Sequence, residues 1–201
     1  LGGALGRPAD NAGALDKLRK AKPAPFMIEK NARWITPGNL EDALALLADC
    51  DWIVEAVIER LDVKQDVYRR IDEVRKPGSI VSSNTSTIPL GRLLEGLPES
   101  FQRDFLITHF FNPPRYRRLL ELVTGERTRP EAAAAVRAFC DVALGKSVVE
   151  CRDTPGFIAN RPQQLVRNSQ GRFQLFRVGD AVASRNIHAA LYESLRLCLQ
   201  F

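Results

Sequence analysis

Of the two histidines in this 201-residue chain, one, His109, opens the stretch HFFNPPRYRRLLELV, and a single carboxylate, Glu121, sits in the apolar run that closes it. A core histidine and an edge-strand glutamate would account for that pattern. A second account follows if the chain reverses over residues 112–115, because the two flanking strands then bring Glu121 beside the imidazole. A carboxylate bonded to one ring nitrogen fixes the tautomer and favours the imidazolium, leaving the other nitrogen to accept a substrate proton. A histidine base held in this way suits removal of an alcohol proton near neutral pH, the acid–base half of an alcohol oxidation.

The elements that must position such a pair can be read from the apolar periodicity. WIVEAV (52–57), SIVSSN (79–84), FLITHFF (105–111), RRLLELV (117–123) and SVVEC (147–151) are strand-like runs. Between them LDVKQDVYRRIDEVRK (61–76) and PEAAAAVRAFCDVALG (130–145) read as helices, and a short helix is expected around PLGRLLEGL (89–97). NAGALDKLRKAK (11–22) and NLEDALALLAD (39–49) read as two earlier helices, the second with Asn39 as N-cap and Glu41 and Asp42 in its first turn. Strands alternating with helices point to an α/β fold with a doubly wound, mostly parallel sheet. Such sheets bind ligands beyond the carboxyl ends of their strands. That rule collects Glu55, Glu59, Ser83, Asn84, Thr85, Ser86, His109 and Asn112 on one edge. Each has a plain alternative: SNTS can cap the helix after it, and Asn112 before Pro113 can be a turn residue.

With 45% hydrophobic and 26% charged residues the chain falls in the ordinary globular range. No apolar run nears the roughly 20 residues of a membrane span, and LGGALGRPAD has no secretory pattern, so the cytosol or an organelle matrix is the expected compartment. Cys50, Cys140, Cys151 and Cys198 lie far apart, with neither a CxxC pair nor a histidine at ligand spacing. Buried thiols are expected, with no disulfide framework and no metal site. The net charge of +5 is concentrated in residues 161–201, whose six arginines against Asp180 and Glu193 account for +4. The near-neutral remainder gives no case for nucleic acid.

VEAVIE (54–59), SSNTSTIP (82–89), HFFNPP (109–114), LLELV (119–123) and GKSVVECRDTPGFIANR (145–161) resemble, in order and spacing, the NAD-binding domain of the 3-hydroxyacyl-CoA dehydrogenases of fatty-acid β-oxidation. The resemblance implies a Rossmann-like domain that oxidises (3S)-3-hydroxyacyl-CoA to 3-oxoacyl-CoA with hydride transfer to NAD. It implies that His109 takes the hydroxyl proton while Glu121 holds and polarises the imidazole, and that Ser86 and Asn160 bond the substrate near its reacting oxygen. Glu59, Lys64, Ser86 and Asn112 match positions that contact the dinucleotide, and Lys17 and Lys20 match an early helix that approaches the CoA phosphates. The full-length parent is then expected to be a homodimer or part of a multifunctional β-oxidation protein.

Two departures from the family pattern set further expectations. No strand with a GxGxxG turn precedes the first helix, LGGALG having the wrong spacing, so residues 1–161 are expected to form a partial dinucleotide domain lacking its first β-α-β unit. After Arg161 the helical pattern of the family is missing, so residues 162–201 are expected to be a divergent tail, frameshifted or lineage-specific, with an amphipathic helix over 187–201 and His188 at the surface. A chain so built is expected to turn over little, and a non-catalytic binding or interaction module is the alternative. A hydrolase would have Ser86 available beside His109, but no GxSxG elbow accompanies it.

Overall fold

The computed structural model describes residues 10–158. The chain divides into two units, Leu1–Pro155 and Gly156–Phe201, and the elements below all belong to the first. Five strands form one sheet in chain order: β1 (Trp52–Glu55), β2 (Ile80–Ser83), β3 (Phe105–Phe110), β4 (Leu119–Thr124) and β5 (Ser147–Cys151). Neighbouring strands are parallel except β3 and β4, which run antiparallel. The helices are α1 (Asp10–Lys20), α2 (Leu61–Val74), α3 (Leu90–Leu93), α4 (Glu99–Arg103) and α5 (Pro130–Ala138). No helix among the described residues is long and apolar enough to cross a membrane.

Parallel neighbours joined by a crossover have a fixed hand, so α2, α3 and α4, which link β1 to β2 to β3, fall on one face of the sheet. The reversal between β3 and β4 flips the strand direction, and the same rule then puts α5, which links β4 to β5, on the other face. Side chains alternate along β3 accordingly. Phe105 meets the rings of Tyr68 from α2 and Phe101 from α4, at centroid distances of 5.1 and 5.6 Å. Leu106, one residue on, packs with Leu120, Leu122, Val136 and Cys140 on the α5 side. The sheet is thus doubly wound, as its strand–helix alternation predicts.

The strands lie within one or two residues of their expected bounds. β1 stops at Glu55 because that side chain, at 2.6 Å, accepts the Val57 amide and takes the chain out of the ladder. Gly78, at φ +80°, makes the turn from α2 into β2, where a side chain would be strained. At the starts of β2 and β3, Asp104 accepts from Arg75 at 2.8 Å and is paired with Arg129, whose guanidinium also reaches the Gly78 carbonyl at 2.6 Å.

Two helical expectations are corrected, and two helices lie where none is expected. Residues 39–49 form no α-helix: Asn39 Oδ1 accepts the amides of Glu41 and Asp42 at 2.8 and 2.7 Å, and only a 3-10 helix, Leu44–Asp49, follows. None of its residues is buried, so no packed face rewards a longer helix. A second 3-10 helix, Glu29–Trp34, and the five-residue α4 stand in segments for which the apolar pattern predicts no helix. The helix expected over 130–145 is α-helical only to Ala138 and continues as a π turn, Phe139–Ala143, which keeps Cys140 buried while Phe139 meets Trp52 edge-on at 5.9 Å.

Candidate active site

The antiparallel register of β3 and β4 sets His109 directly opposite Glu121. His109 Nδ1 lies 2.7 Å from Glu121 Oε2, with side-chain exposures of only 6% and 1%. A carboxylate oxygen can only accept, so Nδ1 donates, and in the neutral imidazole Nε2 is then the acceptor nitrogen. Nε2 faces Ser86 Oγ at 3.2 Å. Ser86 follows the end of β2, so three strand ends supply one line of groups, Glu121 to His109 to Ser86. The imidazole also rests against the Phe111 ring, with centroids 4.5 Å apart.

Ser86 is held there by Glu59. One oxygen of that carboxylate accepts from Thr85 Oγ1 at 2.6 Å, the Ser86 amide at 2.9 Å, and the amide and hydroxyl of Thr87, both at 3.1 Å. Burial raises the Glu59 pKa, but the Thr85 hydroxyl, the Ser86 amide, the Lys64 charge and the Thr87 amide together outweigh it and leave the carboxyl below its usual value. Asn84 acts alongside, its Oδ1 accepting the Phe110 amide at 2.8 Å and so joining the ends of β2 and β3. The residues of SNTS therefore bond across the sheet edge, and the helix-capping reading of that stretch is corrected. The cap of α3 comes instead from Asp153, whose carboxylate accepts the Leu90 and Gly91 amides at 2.6 and 3.0 Å.

Glu55 and Lys64 are enclosed. Glu55 accepts from Lys64 Nζ at 2.8 Å, Tyr68 OH at 2.6 Å, Ser83 Oγ at 2.7 Å and the Val57 amide, a set that fixes α2 on the ends of β1 and β2. Burial, then the Glu55 charge, push the Tyr68 hydroxyl pKa far up. Glu55 and Ser83 are thus internal supports and stand apart from the exposed edge. Lys64 Nζ also lies 3.4 Å from Glu59 Oε2, linking this buried cluster to the Ser86 turn. Asn112 is exposed in the reversal after β3, and Lys17 and Lys20 are exposed in the last turn of α1, with no hydrogen bond to this group among the described residues. Asn160, the 162–201 segment with His188, and Cys198 lie outside the described residues. Cys50, Cys140 and Cys151 are free thiols.

The line Glu121–His109–Ser86 has the order of a hydrolase triad, but hydrolysis also needs donors for an oxyanion. The amides of Ser86 and of the residue after it, Thr87, are the natural donors, and both are spent on the Glu59 carboxylate. Negative charge stands where an oxyanion would form. What the arrangement can do is accept a proton at Nε2 from a hydroxyl bound beside Ser86. Sequence reasoning did not find the Glu59 clamp, because its partners lie 26 to 28 residues away and no local pattern joins them.

A family model described as "3-hydroxyacyl-CoA dehydrogenase, NAD binding domain" matches residues 9–154. The chain belongs to this family. A "Probable 3-hydroxyacyl-CoA dehydrogenase" of Bacillus subtilis is 51% identical over 148 residues, which cover 74% of this chain and 19% of that protein. A protein of the same description from Deinococcus radiodurans is 47% identical over 147 residues, 73% of this chain and 42% of the relative. A "Putative fatty acid oxidation complex trifunctional enzyme" of Rickettsia felis is 47% identical over 148 residues and is covered to 21%. The chain thus spans from about a fifth to less than half of these relatives. Among solved structures, (S)-3-hydroxybutyryl-CoA dehydrogenase from Ralstonia eutropha superposes with a TM-score of 0.61 at 31% identity, over 75% of this chain and 52% of that one. NAD is the cofactor of such domains. At the strand-end edge Glu59 is exposed and Ser86, beside the base, is half-buried. A glycine-rich strand-turn-helix for the diphosphate is not among the described residues.

Proposed function

We propose that this chain carries the acid–base side of a 3-hydroxyacyl-CoA dehydrogenase, oxidising (3S)-3-hydroxyacyl-CoA to 3-oxoacyl-CoA in fatty-acid β-oxidation. The observation that supports the reading most is the Glu121–His109–Ser86 line, with His109 Nε2 turned to the hydroxyl of Ser86 at 3.2 Å. Ser86 Oγ bonds the substrate oxygen and sets it against Nε2. His109 takes the hydroxyl proton, and the Glu121 carboxylate, 2.7 Å from Nδ1, stabilises the imidazolium that results. NAD, when bound, supplies the acceptor for the hydride that leaves the same carbon. Glu59 and Asn112 line the cofactor edge. Lys64, 1% exposed, contributes by holding Glu59. Asn160 is assigned to the substrate oxygen, and Lys17 and Lys20 to the CoA phosphates.

In this reading residues 1–161 belong to the dinucleotide domain and 162–201 to a different segment. The whole protein is a homodimer or a multifunctional β-oxidation protein, in a bacterial cytoplasm or an organelle matrix. The test is a chimaera in which residues 10–158 replace the matching segment of the Deinococcus radiodurans relative. NADH formation from 3-hydroxybutyryl-CoA within about tenfold of the relative is expected. Folded chimaera that binds NAD yet forms no NADH would overturn the proposal.

A further inference from the structure

Lys146 has no part in the proton transfer, yet its side chain is spent on the residues that set it up. It follows Gly145, whose φ of +63° turns the chain from the π turn into β5. The residue is only 7% exposed, and among the described residues it makes no ion pair. Burial lowers the pKa of its ammonium. A buried cation without a counter-ion is costly unless its protons are used. Here Nζ donates to the carbonyls of Pro114 and Arg117, at 2.8 Å for the latter, and lies 5.8 Å from the centroid of the Phe110 ring.

Both carbonyls belong to the reversal between Phe110, the last residue of β3, and Leu119, the first of β4. Inside that reversal the backbone bonds itself at one place, with Tyr116 and Arg117 amides on the Pro113 carbonyl at 2.9 and 3.1 Å. Strand register matters greatly here, since a slip of one residue would carry Glu121 to the opposite face from His109. The neighbouring Ser147 amide bonds the Arg118 carbonyl at 2.8 Å, so the start of β5 grips the reversal at adjacent points.

We propose that Lys146 is the positioning residue of the His109–Glu121 pair: its ammonium, seated on the Pro114 and Arg117 carbonyls, fixes the β3–β4 reversal in the register that sets the two side chains together. The proposal rests on the dehydrogenase reading for what the pair does, while its test reads only the geometry, so the two can fail separately.

The experiment is nitrogen NMR of this chain with labelled histidine, His109 being assigned by loss of its signals in His109→Gln. The wild type is expected to show a single tautomer with a downfield, hydrogen-bonded Nδ1 proton. Lys146→Met is expected to lose that proton resonance and to show the mixed tautomers of a solvated imidazole, with its circular dichroism kept. Lys146→Arg, which can donate to both carbonyls, is expected to retain the resonance. Folded Lys146→Met with the wild-type signature would overturn the proposal. If Lys146→Met does not fold, Lys146→Gln is read in the same way, and failure of both to fold also overturns it, because Lys146 would then be a general support of the sheet.

Discussion

At His109 the Glu121 carboxylate meets one ring nitrogen and the Ser86 hydroxyl, held by Glu59, meets the other, and each makes a separate prediction. Glu121→Gln keeps a partner for Nδ1 but removes the charge that stabilises the imidazolium. Turnover of the chimaera is expected to fall about a hundredfold or more with little change in NAD affinity, measured by NADH fluorescence. Glu59 has a folded-state pKa below its ordinary one. Its hold on Ser86 is therefore fully present above the usual glutamate value of about 4.3 and is lost as pH falls through the lower, folded value. The amide resonances of Ser86 and Thr87 should stay constant from neutral pH down to about 5 and move only in stronger acid; a midpoint above the ordinary glutamate value would contradict the clamp. Lys64 is enclosed with Glu55, and removing one partner of a buried pair leaves the other uncompensated. Lys64→Met is expected to destabilise the domain by about 3–5 kcal/mol in urea denaturation. The His109–Glu121 pairing was legible in the sequence because strand alternation and one reversal suffice to derive it. The Glu59 clamp was not, and neither was the conversion of Glu55 from an edge group to a buried hub, since both depend on how α2 lies across two strands.

Among the elements, the strands were the most legible, because a sheet covered on both faces demands continuous apolar runs, and those runs stand out between charged helices. The 39–49 segment misled for a physical reason. Its composition favours a helix, but propensity decides little where nothing is buried, and the Asn39 turn took the backbone bonds first. The α3 helix shows the converse: its first amides are satisfied by Asp153, far away in sequence. Asp153→Ala should cost about 1 kcal/mol in the same denaturation, the usual penalty for losing a capping carboxylate. An unchanged midpoint would mean that water replaces the cap without loss. Leu106, fully buried between β4 and α5, is a harsher probe, and Leu106→Ala should cost about 2–5 kcal/mol.

For the molecule as a whole, the right-handed crossovers and the single reversal explain why the chemistry collects on one edge: β1, β2 and β3 all point their carboxyl ends there, and β4 returns beside β3 carrying Glu121. The neutral body of the chain, with its charge concentrated beyond residue 160, fits a domain that recognises a small ligand through placed groups. The central claim is that His109 is the base, and the most direct measurement is the rate of NADH formation from 3-hydroxybutyryl-CoA by the chimaera carrying His109→Gln. A fall of about two to four orders of magnitude in kcat, with NAD binding within a few-fold of the unmutated chimaera, is the predicted result. A kcat equal to that of the unmutated chimaera would contradict the account, because the proton would then have another acceptor.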